Sequence, residues 1–159
     1  MKKTRYRGKA ALVLFLVVLS FVGLTNTFPV KASDVYKITV KTYYLYVDYE
    51  TYDSGENGEF RFQCSYESDH SPLYSSNIWS LPSYSSRSYQ EVIDVEWLPW
   101  YDNVYLRLIE YDYGPYDVVI NWHSKSVSSL HNGNNIITYY DGTGLICKFL
   151  VIKEDFGIG

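Results

Sequence analysis

The sequence predicts an all-β fold, an antiparallel β-sandwich of about seven or eight strands with Greek-key connections. Three observations carry this. At least seven segments show strand-like patterning between polar turns. No long amphipathic helix pattern follows the apolar N-terminal stretch. Asp141-Gly142-Thr143-Gly144 is a strong hairpin signal between the last two segments. Uneven connection lengths suit Greek-key crossings better than a regular up-and-down barrel.

Taken in order, the chain opens with Lys2, Lys3, Arg5, Arg7 and Lys9, an uncharged apolar run from Ala10 to Leu24, and then Val30-Lys31-Ala32. This is the order of a secretory signal, with cleavage expected after Ala32. As a helix the apolar run would span only about 22 Å, against a hydrocarbon core of about 30 Å, so a cleaved signal is favoured over an anchor. The expected organisation is a signal peptide at 1–32 and one sandwich domain at 33–159. The expected location is secreted or extracellular surface, with no integral membrane span after cleavage.

The first strand is expected over Val35–Val47, with Ile38, Val40, Tyr44 and Tyr46 on one face. Phe60, Phe62, Cys64 and Tyr66 alternate with polar residues, as in a half-buried strand over 59–66. Residues 65–88 hold ten serines and two prolines, so a long loop is expected there. Strand patterns resume at 89–97, 104–111, 117–122, 135–140 and 145–152. Phe60, Phe62, Leu106, Leu108, Val119, Ile137 and Phe149 are expected to point inward.

After the signal, eight basic residues face 18 acidic ones, a net charge of −10. Nucleic acid is thereby excluded as a partner, because binding it needs phosphates neutralised by Lys and Arg. Direct attraction to an anionic membrane is disfavoured unless a cation bridges the two.

The acidic residues cluster where predicted strands run out. Asp48, Glu50, Asp53, Glu56 and Glu59 form one group without an intervening Lys or Arg, and Glu110, Asp112 and Asp117 form another. Gathered carboxylates repel, and a hard cation such as calcium, with six to eight oxygen ligands, relieves the repulsion. Two solvated acidic loops are the plainer alternative.

The spacing of these groups resembles the calcium-dependent phospholipid-binding sandwich domain first recognised in protein kinase C. Asp53-Ser54-Gly55-Glu56-Asn57-Gly58-Glu59 looks like its first ligand element, and Glu110-Tyr111-Asp112 followed by Asp117 looks like the second. The resemblance covers about 35–122 and implies a calcium site formed by Asp53, Glu59, Glu110, Asp112 and Asp117. Two of the family's aspartates are glutamates here, the second spacing is one residue short, and Pro115 stiffens that loop. The basic strand some members use for lipid headgroups has no counterpart, since only Arg61, Arg87 and Arg107 lie in this region. The function implied is a non-catalytic surface-binding module, calcium-dependent, with a glycan or protein as its other conceivable ligands.

The domain also carries 17 Tyr, four Trp and four Phe. Tyr74, Trp79, Tyr84, Trp97, Trp100 and Tyr101 are the aromatic residues least explained by strand alternation, and Tyr and Trp suit stacking on sugar rings. A carbohydrate-binding module is therefore the second reading, and ordinary packing is the plainer account of the same residues. A small secreted hydrolase comes third, with Cys64 and one of His70, His123 or His131 as its conceivable pair. No Gly-x-Ser-x-Gly, His-Glu-x-x-His or phosphate-cradling glycine loop is present. Cys64 and Cys147 could form a disulfide in an oxidising compartment or remain buried thiols, and spacing leaves both open.

Overall fold

The computed structural model describes residues 35–48, 57–100, 102–110, 117–142 and 144–156, within the compact unit Asp34–Gly159. The segment read as a signal lies outside the described residues, as do Asp53, Tyr101 and Asp112. Among the described residues ten strands are present: β1 (Val35–Val47), β2 (Gly58–Ser65), β3 (Tyr74–Ser75), β4 (Trp79–Leu81), β5 (Ser85–Ser88), β6 (Val92–Pro99), β7 (Asn103–Glu110), β8 (Asp117–Ser126), β9 (Gly133–Tyr140) and β10 (Ile146–Asp155). A single 3-10 turn, Val127–Ser129, is the one helical element among the described residues.

The strands form two antiparallel sheets. In the first, β9, β10 and β1 lie in that order, and β1 then pairs with β6 along its first half and with β5 along its last four residues. In the second, β8, β7 and β2 are consecutive, and β2 pairs in turn with β4 and β3. The chain crosses between sheets after β1, β4, β6 and β8, and its first and last strands are neighbours. That is the Greek-key sandwich the patterning predicts.

Five of the expected core residues, Phe60, Phe62, Leu106, Leu108 and Phe149, are fully buried, Ile137 is nearly so, and Val119 packs partly against them. Phe62 is the hinge of the packing. Its ring lies 4.9 Å from Trp79 beside it and 5.1 Å from Phe149 of the facing sheet.

The inward face of β1 departs from the expectation. Ile38 and Val40 are buried, but so are Leu45 and Val47, while Tyr44 and Tyr46 are half-exposed. A register shift between Thr42 and Tyr44 in the pairing with β10 is the cause. One extra residue reverses which side chains face the core. Thr42 occupies the break, fully buried. Its hydroxyl donates to the Tyr89 carbonyl at 2.8 Å and accepts from the Glu91 amide at 2.9 Å, and its own amide donates to the Glu91 carbonyl at 2.9 Å. The bulge thus holds the segment between β5 and β6. Thr42→Val keeps the shape and removes both hydroxyl bonds, so urea denaturation is expected to show a loss of about 1–3 kcal/mol.

The serine-rich stretch is not the long loop its composition predicts. It contains β3, β4 and β5, and Ser76 accepts from the Phe62 amide at 3.1 Å through its hydroxyl while its own amide donates to the Phe62 carbonyl at 2.9 Å. Small polar residues serve here as edge partners of β2.

Candidate functional site

The pairing registers define one end of the sandwich. Phe60 lies opposite Glu110, and Glu110 lies opposite Asp117. The start of β2, the end of β7 and the start of β8 therefore sit side by side, so the two acidic connections leave the second sheet at the same end. The first sheet brings more chain to that end. Gly58 pairs with Leu81 and Val47 with Ser85, which places the turn between β4 and β5 there, and Tyr46 pairs with Ile146 beside the β9–β10 hairpin.

Three of the five acidic residues expected to bind a cation are described. Glu110 is buried, Glu59 is half-buried and Asp117 is exposed. Gly58 ties Glu110 to the root of the first acidic connection. A Cβ built on Gly58 would stand 2.7 Å from the Phe60 ring and 3.3 Å from Oε1 of Glu110. Only a residue without a side chain lets the buried ring and the carboxylate approach so closely. Gly58→Ala is accordingly expected to cost about 1–3 kcal/mol through displacement of the Phe60 ring, read from the shift in denaturation midpoint.

Among the described residues no group of three or more His, Cys, Asp or Glu stands close enough to hold a metal ion. Glu59, Glu110 and Asp117 thus do not make a complete donor set, and a site at this end needs Asp53 and Asp112 from the connections. Two further acidic residues share the end, Asp48 of the first acidic group and Asp141 of the hairpin. Asp48 accepts a hydrogen bond from the Tyr46 phenol at 3.0 Å, which raises the pKa of that phenol. Asp141 caps the hairpin, accepting from the Gly144 and Leu145 amides at 3.1 and 3.0 Å. Tyr84 and Tyr140 are both strongly exposed there, and Tyr84 holds a positive φ of 57° in its turn.

The aromatic candidates divide. Trp79 is not a surface ring: it is 1% exposed, packed on Phe62, with the Arg87 guanidinium 5.2 Å from the ring centre on its outer side. It points inward because β4 pairs with β2 directly opposite Phe60. Tyr74 is half-buried against Tyr66 at 5.8 Å. Tyr84 is exposed at the acidic end, while Trp97 and Trp100 are exposed at the other end, near the pairing of Val35 with Pro99. Trp97 leans on Phe156 at 5.0 Å. The described rings therefore form no single stacking platform, and Tyr101 lies outside the described residues.

Both cysteines are free and fully buried, so the disulfide alternative is not the state of this structure. Burial pushes both thiols up, helped at Cys64 by the negative charge of Asp94. A thiol held protonated and away from solvent is a poor nucleophile. His70 and His123 are engaged in ring packing, His70 stacked on Trp122 at 4.3 Å and His123 on Tyr139 at 4.6 Å.

No protein-family model matches this chain, and comparison with curated proteins returns no match. Solved structures do resemble it. Human GIVD cytosolic phospholipase A2, in complex with a methyl gamma-linolenyl fluorophosphonate inhibitor and terbium chloride, superposes with a TM-score of 0.61 at 12% identity, covering 80% of this chain and 18% of that one. A C2 domain of plant extended synaptotagmin 1 superposes with a TM-score of 0.55 at 7% identity, covering 79% of this chain and 97% of the domain. The fold is a C2-like β-sandwich. The chain spans less than a fifth of the phospholipase, so the likeness is one of architecture. The C2-like sandwich matches a whole domain in the synaptotagmin, and among the described residues no helix is long and apolar enough to cross a membrane.

Proposed function

We propose that this chain is an exported, non-catalytic binding module in which calcium, held between the two acidic connections, attaches the domain to a phosphate-bearing lipid surface. The observation that carries the reading is the register from Phe60 through Glu110 to Asp117, which gathers the roots of both acidic connections at one end. Glu59, Glu110 and Asp117 would supply donors from the strand ends, and Asp53 and Asp112 from the connections. Calcium there would offset the repulsion among the carboxylates and present positive charge to phosphate. A domain of net charge −10 needs such a bridge to approach an anionic surface. Tyr84 and Tyr140, exposed at the same end, suit the boundary between headgroup and water.

Sedimentation with vesicles of mixed phosphatidylcholine and phosphatidylserine tests this. Binding is expected in calcium and not in excess chelator, and Asp112→Asn should abolish most of it. Equal sedimentation with and without calcium would remove the bridging role. The carbohydrate reading is less well supported, since the exposed rings are split between two ends.

A further inference from the structure

At the far side of the first sheet, β9 is an outermost strand, and among the described residues β10 is its single strand partner. A free sheet edge is a row of unpaired amides and carbonyls that another strand can complete, and proteins usually blunt it with charge, proline, a bulge or shortness. The other outer strands carry such devices. β8 bears Asp117 and Lys125 and pairs irregularly with β7, β6 contains Asp94, Glu96 and Pro99, and β3, β4 and β5 are only two, three and four residues long. β9 has none of them. Its eight residues, Gly-Asn-Asn-Ile-Ile-Thr-Tyr-Tyr, are uncharged, lack proline, and pair with β10 without a register shift.

A groove runs along this edge. An open concavity of about 450 Å³ is lined by Asn134 to Ile137 of β9, by the Ser129–His131 segment, and by Lys125 at the end of β8. Its walls are fixed in place. The buried Lys153 ammonium donates to the Val127 and Leu130 carbonyls at 2.9 and 3.0 Å, holding the 3-10 turn. The Asn135 amide donates to the His131 and Gly133 carbonyls at 2.9 and 3.0 Å and accepts from the His131 amide at 3.1 Å, locking the turn into β9. Such a pre-formed groove needs little ordering when a ligand enters. The charge of its lining is also the reverse of the domain's. Lys125 stands there with no carboxylate among the lining residues, on a domain of net charge −10.

We propose that the β9 edge and this groove take an extended polypeptide strand, added antiparallel or parallel to β9, that carries a carboxylate toward Lys125. Main-chain hydrogen bonds to β9 supply the affinity, and the groove reads alternate side chains of the added strand. Lys125 selects for acidic character, because like charges meeting across an interface are excluded more strongly than opposite charges are rewarded.

The test uses the full chain and two end-blocked fluorescent peptides of alternating valine and threonine, one with glutamate at its centre and one with lysine. Fluorescence anisotropy should show saturable binding of the glutamate peptide, weaker binding of the lysine peptide, and slowed amide exchange along Asn134 to Tyr140 on binding. Lys125→Glu should reverse the preference, changing each affinity by about tenfold. Ile136→Lys, at a position 54% exposed, should weaken both peptides by charging the edge. Both sites are exposed, so circular dichroism should show the fold of each variant intact. Equal affinity for the two peptides, or a preference that Lys125→Glu leaves unchanged, overturns the proposal. So does exchange protection along β9 that depends on protein concentration without peptide, which would assign the edge to a second copy.

Discussion

Truncation of Trp79 to alanine is expected to lower the unfolding free energy by about 3–5 kcal/mol, the range for removing a large aromatic side chain from a packed core. Trp79 is enclosed almost completely, by Phe62 at 4.9 Å on the core side and by Tyr89 and Arg87 outside. It is the largest fully buried side chain among the described residues. It comes from a strand of three residues, which has few backbone bonds with which to hold its place once the ring is gone. Loss of the ring should therefore release β4 as well as open a cavity. Urea titration followed by tryptophan fluorescence and by far-ultraviolet circular dichroism reads both effects. A surface stacking residue would behave otherwise, with a change within about 0.5 kcal/mol.

Calcium is expected to raise stability by about 2.7 kcal/mol at a free concentration 100-fold above its dissociation constant, if it binds the folded chain alone. For a domain of this length that is a rise of about 10 °C in melting temperature. The gain comes from relief of repulsion among carboxylates that folding gathers at one end and unfolding separates, so it should be largest at low ionic strength. Asp112→Asn keeps the side-chain shape and removes one charge, so most of the gain should disappear in that variant. Magnesium should substitute poorly, because it demands a small, regular octahedral shell. Thermal scans with each cation and with chelator read all of these results.

The legible part of this protein was its alternation. Segments in which apolar and polar residues strictly alternate, such as Phe60 to Cys64 and Val104 to Leu108, show their inward faces without further information, because a strand has a period of two. β1 breaks that rule through its bulge at Thr42. Nothing local marks the break, since it is held by Tyr89 and Glu91, more than forty residues away. The serine-rich stretch was illegible for a related reason. Its short strands have little propensity of their own and form because β2 offers them partners, and Trp79 is drawn inward with them. The gathering of the acidic connections rests on long-range register, which composition cannot reveal. Motif spacing singled out Glu59, Glu110 and Asp117 as ligand candidates, and the registers of β2, β7 and β8 put their strand ends side by side. The sequence also offered Asp48 as a member of the first acidic group and Tyr84 as a stacking candidate, but it could not place them, or Tyr140, at this end, which follows from the pairing of β1 with β5 and β10.

Whether the two acidic connections form one cation site is read by calcium titration of the labelled chain, followed by amide nuclear magnetic resonance. The largest shifts are expected at Gly58 to Phe60, at Glu110 and at Asp117, saturating together with one dissociation constant and failing to saturate in Asp112→Asn. Spectra unchanged at millimolar calcium, or shifts confined to the opposite end around Ser126 to Gly133, would contradict it.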